Sequence, residues 1–90
     1  TWWRPMVADV TAGRIVINGG RDRGVKPQRL YRVREKGRPV TDPATGDVLD
    51  IIPGTVVGVI RITEVKDNIA FAETVQGSRF ARGQHLQQTR

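Results

Sequence analysis

Side chains able to move protons or attack a substrate are sparse in this sequence. Its 90 residues hold one histidine, His85, and no cysteine. A Ser-His-Asp arrangement needs an imidazole held between nucleophile and carboxylate, and a zinc site needs several nitrogen or thiolate ligands together. Neither can be composed around a lone histidine near the end of the chain. Asp9, Asp22, Asp42, Asp47, Asp50 and Glu64 supply carboxylates, but acid–base work by a pair requires a pocket that fixes their separation, and none is legible. Residues 41–47 contain aspartates and a glycine, yet they lack the ligand spacing of a calcium loop. The glycine-rich run from Gly19 to Lys26 lacks the Gly-Lys-Ser/Thr ending of a phosphate loop. The residues therefore predict no catalytic centre, no metal and no cofactor.

Charge is the more informative chemistry. The chain has a formal net charge of +6, and its distribution is uneven: residues 1–45 carry ten basic and four acidic side chains, whereas residues 46–90 carry five of each. Arg14, Arg21, Arg23, Lys26, Arg29, Arg32, Arg34, Lys36 and Arg38 fall in what reads as one hairpin-like region. They are expected to form a contiguous positive surface attractive to phosphates, carboxylates or an acidic protein, with a solvated face as the plain alternative. Arg21, Arg23, Lys26, Arg32 and Arg34 are the candidate partner-binding residues. Trp2 and Trp3 join them as a possible aromatic anchor, although packing against the domain, or a remnant of a linker, is the favoured reading of that pair.

The elements that must position these groups are strands. Residues 6–11 set Met6, Ala8 and Val10 against Val7, Asp9 and Thr11, and Ala12-Gly13 turns the chain into β-branched Ile15, Val16 and Ile17, with Ile15 and Ile17 on one face. Gly19, Gly20 and Gly24 are expected to reverse the chain by adopting positive φ. Val25 then returns to the interior, and a strand begins near Arg29 with Tyr31 and Val33 inside. Residues 39–50 are turn-rich, while Val48, Leu49, Ile51 and Ile52 read as short strand edges or core-covering residues. Residues 55–65 make the longest strand, with Gly58 at a bend or bulge and Ile60 and Ile62 inward. Residues 69–75 pair back on it, placing Ala70 and Ala72 in a crowded interior and Phe71 under cover. A second glycine-framed turn ending at Gly83 leads to a short closing strand and a frayed tail.

About six short strands at regular spacing, with no capped helical period, predict an all-β fold: a small antiparallel barrel of the SH3-like or OB-like kind. Residues 1–5 are a lead-in, 6–87 a single domain and 88–90 a tail. A chain of this size can bury one modest core, and closing the sheet would remove exposed edges. No apolar run approaches the ~20 residues of a membrane-spanning helix. The chain starts at Thr1, so it is read as a processed product or an excised domain.

A resemblance is carried by Gly13-x-Ile15-x-Ile17-Asn18-x-Gly20-x-x-x-Gly24-Val25-Lys26, Tyr31-x-Val33 and Gly37, Asp42-Pro43-x-Thr45-Gly46-x-Val48-Leu49, Gly58-x-Ile60-x-Ile62-Thr63-Glu64-Val65 and Phe80-x-x-Gly83. Together they are similar to the C-terminal β domain of flagellar H-ring assembly proteins of the FlgT type, a module also found with curli-secretion lipoproteins of the CsgG type. Gln28 departs from the pattern, standing where that family has glycine after the Gly-Val-Lys turn, and residues 50–53 are more apolar than its usual acidic linker. The resemblance implies a non-catalytic bacterial cell-envelope domain, periplasmic or associated with the outer membrane. Such a domain docks onto or helps assemble a larger secretion or flagellar machine through an envelope protein partner.

Nucleic-acid binding is the rival expectation. Small barrels bind single strands with a basic groove and stacking aromatics, and here the basic first half is accompanied by Trp2, Trp3 and Tyr31.

Overall fold

Alternation of apolar and polar residues at period two, broken by glycine and by polar turns, produces strands almost throughout. The computed structural model describes residues 3–89, so Trp2 lies outside the described residues. Its strands are β1 (Val7–Thr11), β2 (Arg14–Ile17), β3 (Leu30–Arg34), β4 (Arg38–Thr41), β5 (Val48–Ile52), β6 (Val56–Val65), β7 (Ala70–Gly77) and β8 (His85–Gln88), with a 3-10 turn over Arg21–Arg23. Six of them form one curled antiparallel sheet in the order β1-β2-β7-β6-β3-β8, and β4-β5 form a separate two-stranded sheet. Met6 bridges His85, the Val7 N–H donates to the Gln84 carbonyl at 2.9 Å, and the Leu86 N–H donates to the Pro5 carbonyl at 3.0 Å. These bonds draw the two outer edges of the sheet together, so the fold is a small barrel-like all-β domain. Among the described residues no helix is long and apolar enough to cross a membrane.

The core is aliphatic. Ile15 and Ile17 of β2, Val33 of β3, Ile60 and Ile62 of β6, and Ala70 and Ala72 of β7 are all buried, joined by Val7, Val25, Tyr31 and Leu86. Tyr31, Val33, Ile60 and Ile62 therefore face inward as their alternation predicts. On β1 the register slips between Val7 and Asp9, an extra residue that inverts the alternation after it and brings Val10 opposite Ile15 as Val7 is opposite Ile17. Val7 is buried, while Val10 is 39% exposed. Phe71 is only half-buried, since it stands on the outer face between Ala70 and Ala72.

Two glycines of the central turn are needed for closeness and not for positive φ. Gly20 sits at φ −140°, and a Cβ there would run into the Lys66 and Ile69 carbonyls, while one on Gly19 would meet the Trp3 ring. Only Gly24, at φ 73°, takes the left-handed conformation that was expected of all three. Gly58 is also a close-approach position: its Cβ would meet the Gln76 carbonyl and the Phe80 ring. Gly83, at φ 94°, is a true left-handed turn glycine. Gln28 holds φ 71°, a conformation in which glycine is at home.

Three further expectations need correction. β2 and β3 are not a hairpin, because β7 and β6 lie between them. The chain end is not frayed at residue 88: Gln88 pairs with Tyr31, and the Thr89 N–H donates to the Leu30 carbonyl at 3.2 Å. Of the two readings of residues 48–52, the strand holds and the core-covering role does not, since all five residues of β5 are exposed.

Candidate interaction surface

β3 and β6 pair with each other, and the chain between them leaves the barrel as an arm. β4 and β5 pair antiparallel, with a tip closed by the Asp42 N–H donating to the Asp47 carbonyl and the Ala44 N–H donating to Asp42 Oδ1, both at 2.8 Å. At its base the Glu35 N–H donates to the Thr55 carbonyl at 2.8 Å. A Cβ on Gly54 would collide with the Glu35 carbonyl, so only glycine lets the two strands cross this tightly. The arm helps stretch the molecule to 47 × 30 × 25 Å.

Its side chains are the unusual part. All five residues of β5 are exposed, with Val48 at 61% and Leu49 at 63% of their full accessibility. Ile51 and Ile52 are exposed as well, so among the described residues four of the seven large exposed hydrophobics lie on this one strand. Scattered exposed aliphatics are ordinary, whereas a cluster on one projecting element marks a contact surface. A register shift between Val40 and Thr41 sets Val48 opposite Thr41 and Ile51 opposite Pro39. Directly opposed residues share a face, so Pro39, Thr41, Val48 and Ile51 line one side of the arm although Val48 and Ile51 are three apart in sequence. That side borders a cleft of about 340 Å³ between arm and barrel, floored by Ile51, Pro53, His85 and Leu86 and edged by Arg34 and Glu35.

The basic residues are held by different partners. Arg21 is committed to Asp67, with its Nη2 donating to Oδ1 at 2.6 Å, and its Nη1 donates to the Val65 carbonyl at 3.1 Å. Arg23 and Lys26 are exposed nearby. Arg32 and Arg34 lie on the outer face of β3, where both donate to Gln87 Oε1, at 3.4 and 3.3 Å, and Arg34 also donates to the Gly54 carbonyl at 3.0 Å. Arg34 pairs with Val56 at the start of β6, while Arg21 is bonded to Val65 at its end. A ten-residue strand separates them, roughly 30 Å at ~3.3 Å per residue. Arg21 and Arg34 thus stand near opposite ends of β6, with Arg23, Lys26, Arg29 and Arg32 on the chain between them.

Aromatic side chains are largely occupied. Tyr31 is buried, Arg14 covers the Phe71 ring, and Trp3 packs half-buried against the core, its Nε1 enclosed without a hydrogen-bond partner. Trp3 thus takes the packing role.

One residue with a structural role went unnoticed in the sequence. Gln84 is 4% exposed and ties the last turn together: its Nε2 donates to the Arg79 carbonyl at 2.9 Å and to Glu35 Oε1 at 3.1 Å, while its Oε1 accepts from the Ala81 N–H at 2.9 Å. A buried glutamine carries no periodic signal of its own. Among the described residues no three His, Asp or Glu side chains converge as a metal site would require.

Comparison with protein-family models, with characterised proteins and with solved structures finds no match to this chain.

Proposed function

We propose that this domain is a non-catalytic docking module of the bacterial cell envelope, which joins or helps assemble a larger secretion or flagellar machine by protein contact. The observation that carries the reading is the arm, a hairpin that holds Val48, Leu49, Ile51 and Ile52 in water. A two-stranded hairpin is marginal on its own, and exposed aliphatics on such an element are stabilised when a partner covers them. The envelope setting rests on the resemblance to the FlgT-type module.

The nucleic-acid reading draws less support. Arg32 and Arg34 stand beside Val56 and Val59, with no exposed ring among the described residues of that face on which a base would stack.

Gradient fractionation of native envelope extract tests the docking role. The parent protein is expected in a high-mass fraction, and its Leu49→Asp/Ile51→Asp variant at the mass of the free protein. Equal migration of both as free protein would overturn the proposal. Tight binding of single-stranded oligonucleotide that weakens steeply with salt and with Arg21, Arg23 and Lys26 changed to alanine would replace it with the rival.

A further inference from the structure

The arm and the body carry opposite charge. Residues 38–52 hold Asp42, Asp47 and Asp50 against the single cation Arg38, so the arm is acidic by two, and with the whole chain at +6 the remainder is basic by eight. The arm is therefore an acidic aliphatic element projecting from a basic body.

The body presents a surface of matching chemistry. Tyr31 and Val33 point inward, so Arg32 and Arg34 stand on the outer face of β3, opposite Val59 and Val56 of β6 in the antiparallel register. Ile60 is likewise inward, which keeps Val59 on the outside. Beyond it, Val59 pairs with Gln76, and the register slip between Val59 and Ile60 leaves Val75 of β7 as the extra residue. Val56 and Val75 are 46% and 43% exposed. Arg61 stands on the same face, held loosely by Glu73 at 3.4 Å with 39% of its side chain still in water. This is a valine patch bordered by Arg32, Arg34 and Arg61, the counterpart of an arm of valine, leucine and isoleucine bordered by Asp42, Asp47 and Asp50.

We infer that the arm of one copy of this chain packs on the outer β3–β6–β7 face of a second copy. Aliphatic side chains of both surfaces leave water together, and the arm's aspartates meet the arginines that border the valines. Apolar burial supplies the attraction, and the opposed charges set which surfaces meet and how fast. A copy does not satisfy its own arm this way. The base is fixed where the Glu35 N–H donates to the Thr55 carbonyl and Gly54 meets the Glu35 carbonyl, and all five residues of β5 stay exposed in the single chain. This inference rests on the docking role of the arm and names its occupant.

Sedimentation equilibrium of the purified chain tests it. At low salt the chain is expected to form a dimer or larger species as concentration rises into the tens of micromolar. Raising the salt to about 0.5 M is expected to weaken association several-fold, as the Debye length contracts to a few ångströms. Leu49→Asp and Ile51→Asp are each expected to weaken it by about tenfold or more, the size of effect seen when a buried contact is lost. Arg32→Glu and Asp50→Lys are expected to weaken it singly, and the double variant Arg32→Glu/Asp50→Lys to recover part of the loss. Circular dichroism and thermal melting check that each variant folds. A chain that stays monomeric to about 1 mM, or oligomers indifferent to the arm substitutions, would overturn the inference. A monomeric chain whose parent still migrates in a high-mass envelope fraction would overturn it while leaving the docking role standing, with a different protein on the arm.

Discussion

The guanidinium carbon of Arg14 lies 4.0 Å from the centroid of the Phe71 ring, and its Nη2 donates to Glu64 Oε1 at 2.8 Å. Three strands meet in this contact: Arg14 comes from β2, Phe71 from β7 and Glu64 from β6, with Phe71 paired to both Val16 and Glu64. A cation over a ring face gains from the ring quadrupole, and the carboxylate fixes where the cation sits.

That geometry gives a pH signature. The hydrogen bond from Arg14 is the main cause that lowers the Glu64 pKa; desolvation opposes it, and the charges of Arg14 and Lys66 add to the lowering. A carboxyl whose folded pKa is depressed adds stability that is present above its unfolded pKa, about 4.3 for glutamate, and lost as pH falls through the folded value. Glu64→Gln should therefore melt below the native chain at pH 7, with the gap closing as the pH drops through 4 toward 3. A constant gap over that range would show that the pair contributes no proton linkage.

Gly20 and Gly24 should respond differently to alanine. At Gly24 the added methyl meets open space, so Gly24→Ala is expected to cost about 1 kcal/mol from left-handed backbone alone. At Gly20 the methyl faces the Lys66 and Ile69 carbonyls, and Gly20→Ala should cost about 2 kcal/mol or more because backbone must move. Urea unfolding of both variants checks the order, and a larger loss at Gly24 would reverse the assignment.

Ile60 is fully enclosed, and Ile60→Ala is expected to cost roughly 2–5 kcal/mol in transfer and cavity terms. Val48→Ala, on the arm at 61% exposure, should stay within about 0.5 kcal/mol when measured at dilute protein concentration. Equal losses at the two sites would mean that the arm belongs to the folding unit's core.

Gln84→Leu keeps the bulk and removes the hydrogen bonds to Arg79, Ala81 and Glu35. The loss is expected to be about 1–3 kcal/mol, since the partly buried Ala81 N–H and Arg79 carbonyl lose their partner. Hydrogen exchange should quicken first at Ala81, Gly83 and Val7, whose N–H groups lie in the closure that Gln84 holds. Unchanged exchange there would show that the closure does not depend on this side chain.

Much of the barrel was legible in the linear chain. Ile15 with Ile17, Tyr31 with Val33, and Ile60 with Ile62 alternate against polar neighbours, and a period of two puts such residues on one side of a strand whatever it pairs with. The order of neighbours was not legible. Antiparallel pairing of β2 with β7 and of β3 with β6 and β8 joins segments far apart in sequence, and local pattern says nothing about which segments meet. For that reason Arg14 and Arg32 read as parts of one hairpin although β7 and β6 lie between their strands.

Residues 48–52 mark the boundary between the two kinds of information. Their composition by itself gives strand and apolarity, and it gave a covering role as readily as a projecting one. Burial belongs to the packed whole, and Val48, Leu49, Ile51 and Ile52 face water because β5 pairs only with β4, in a two-stranded sheet separate from the barrel. The alternating aliphatics alone determined that this chain is all-β with an aliphatic interior. Only the three-dimensional arrangement decided that its largest apolar cluster outside that interior would be left facing water.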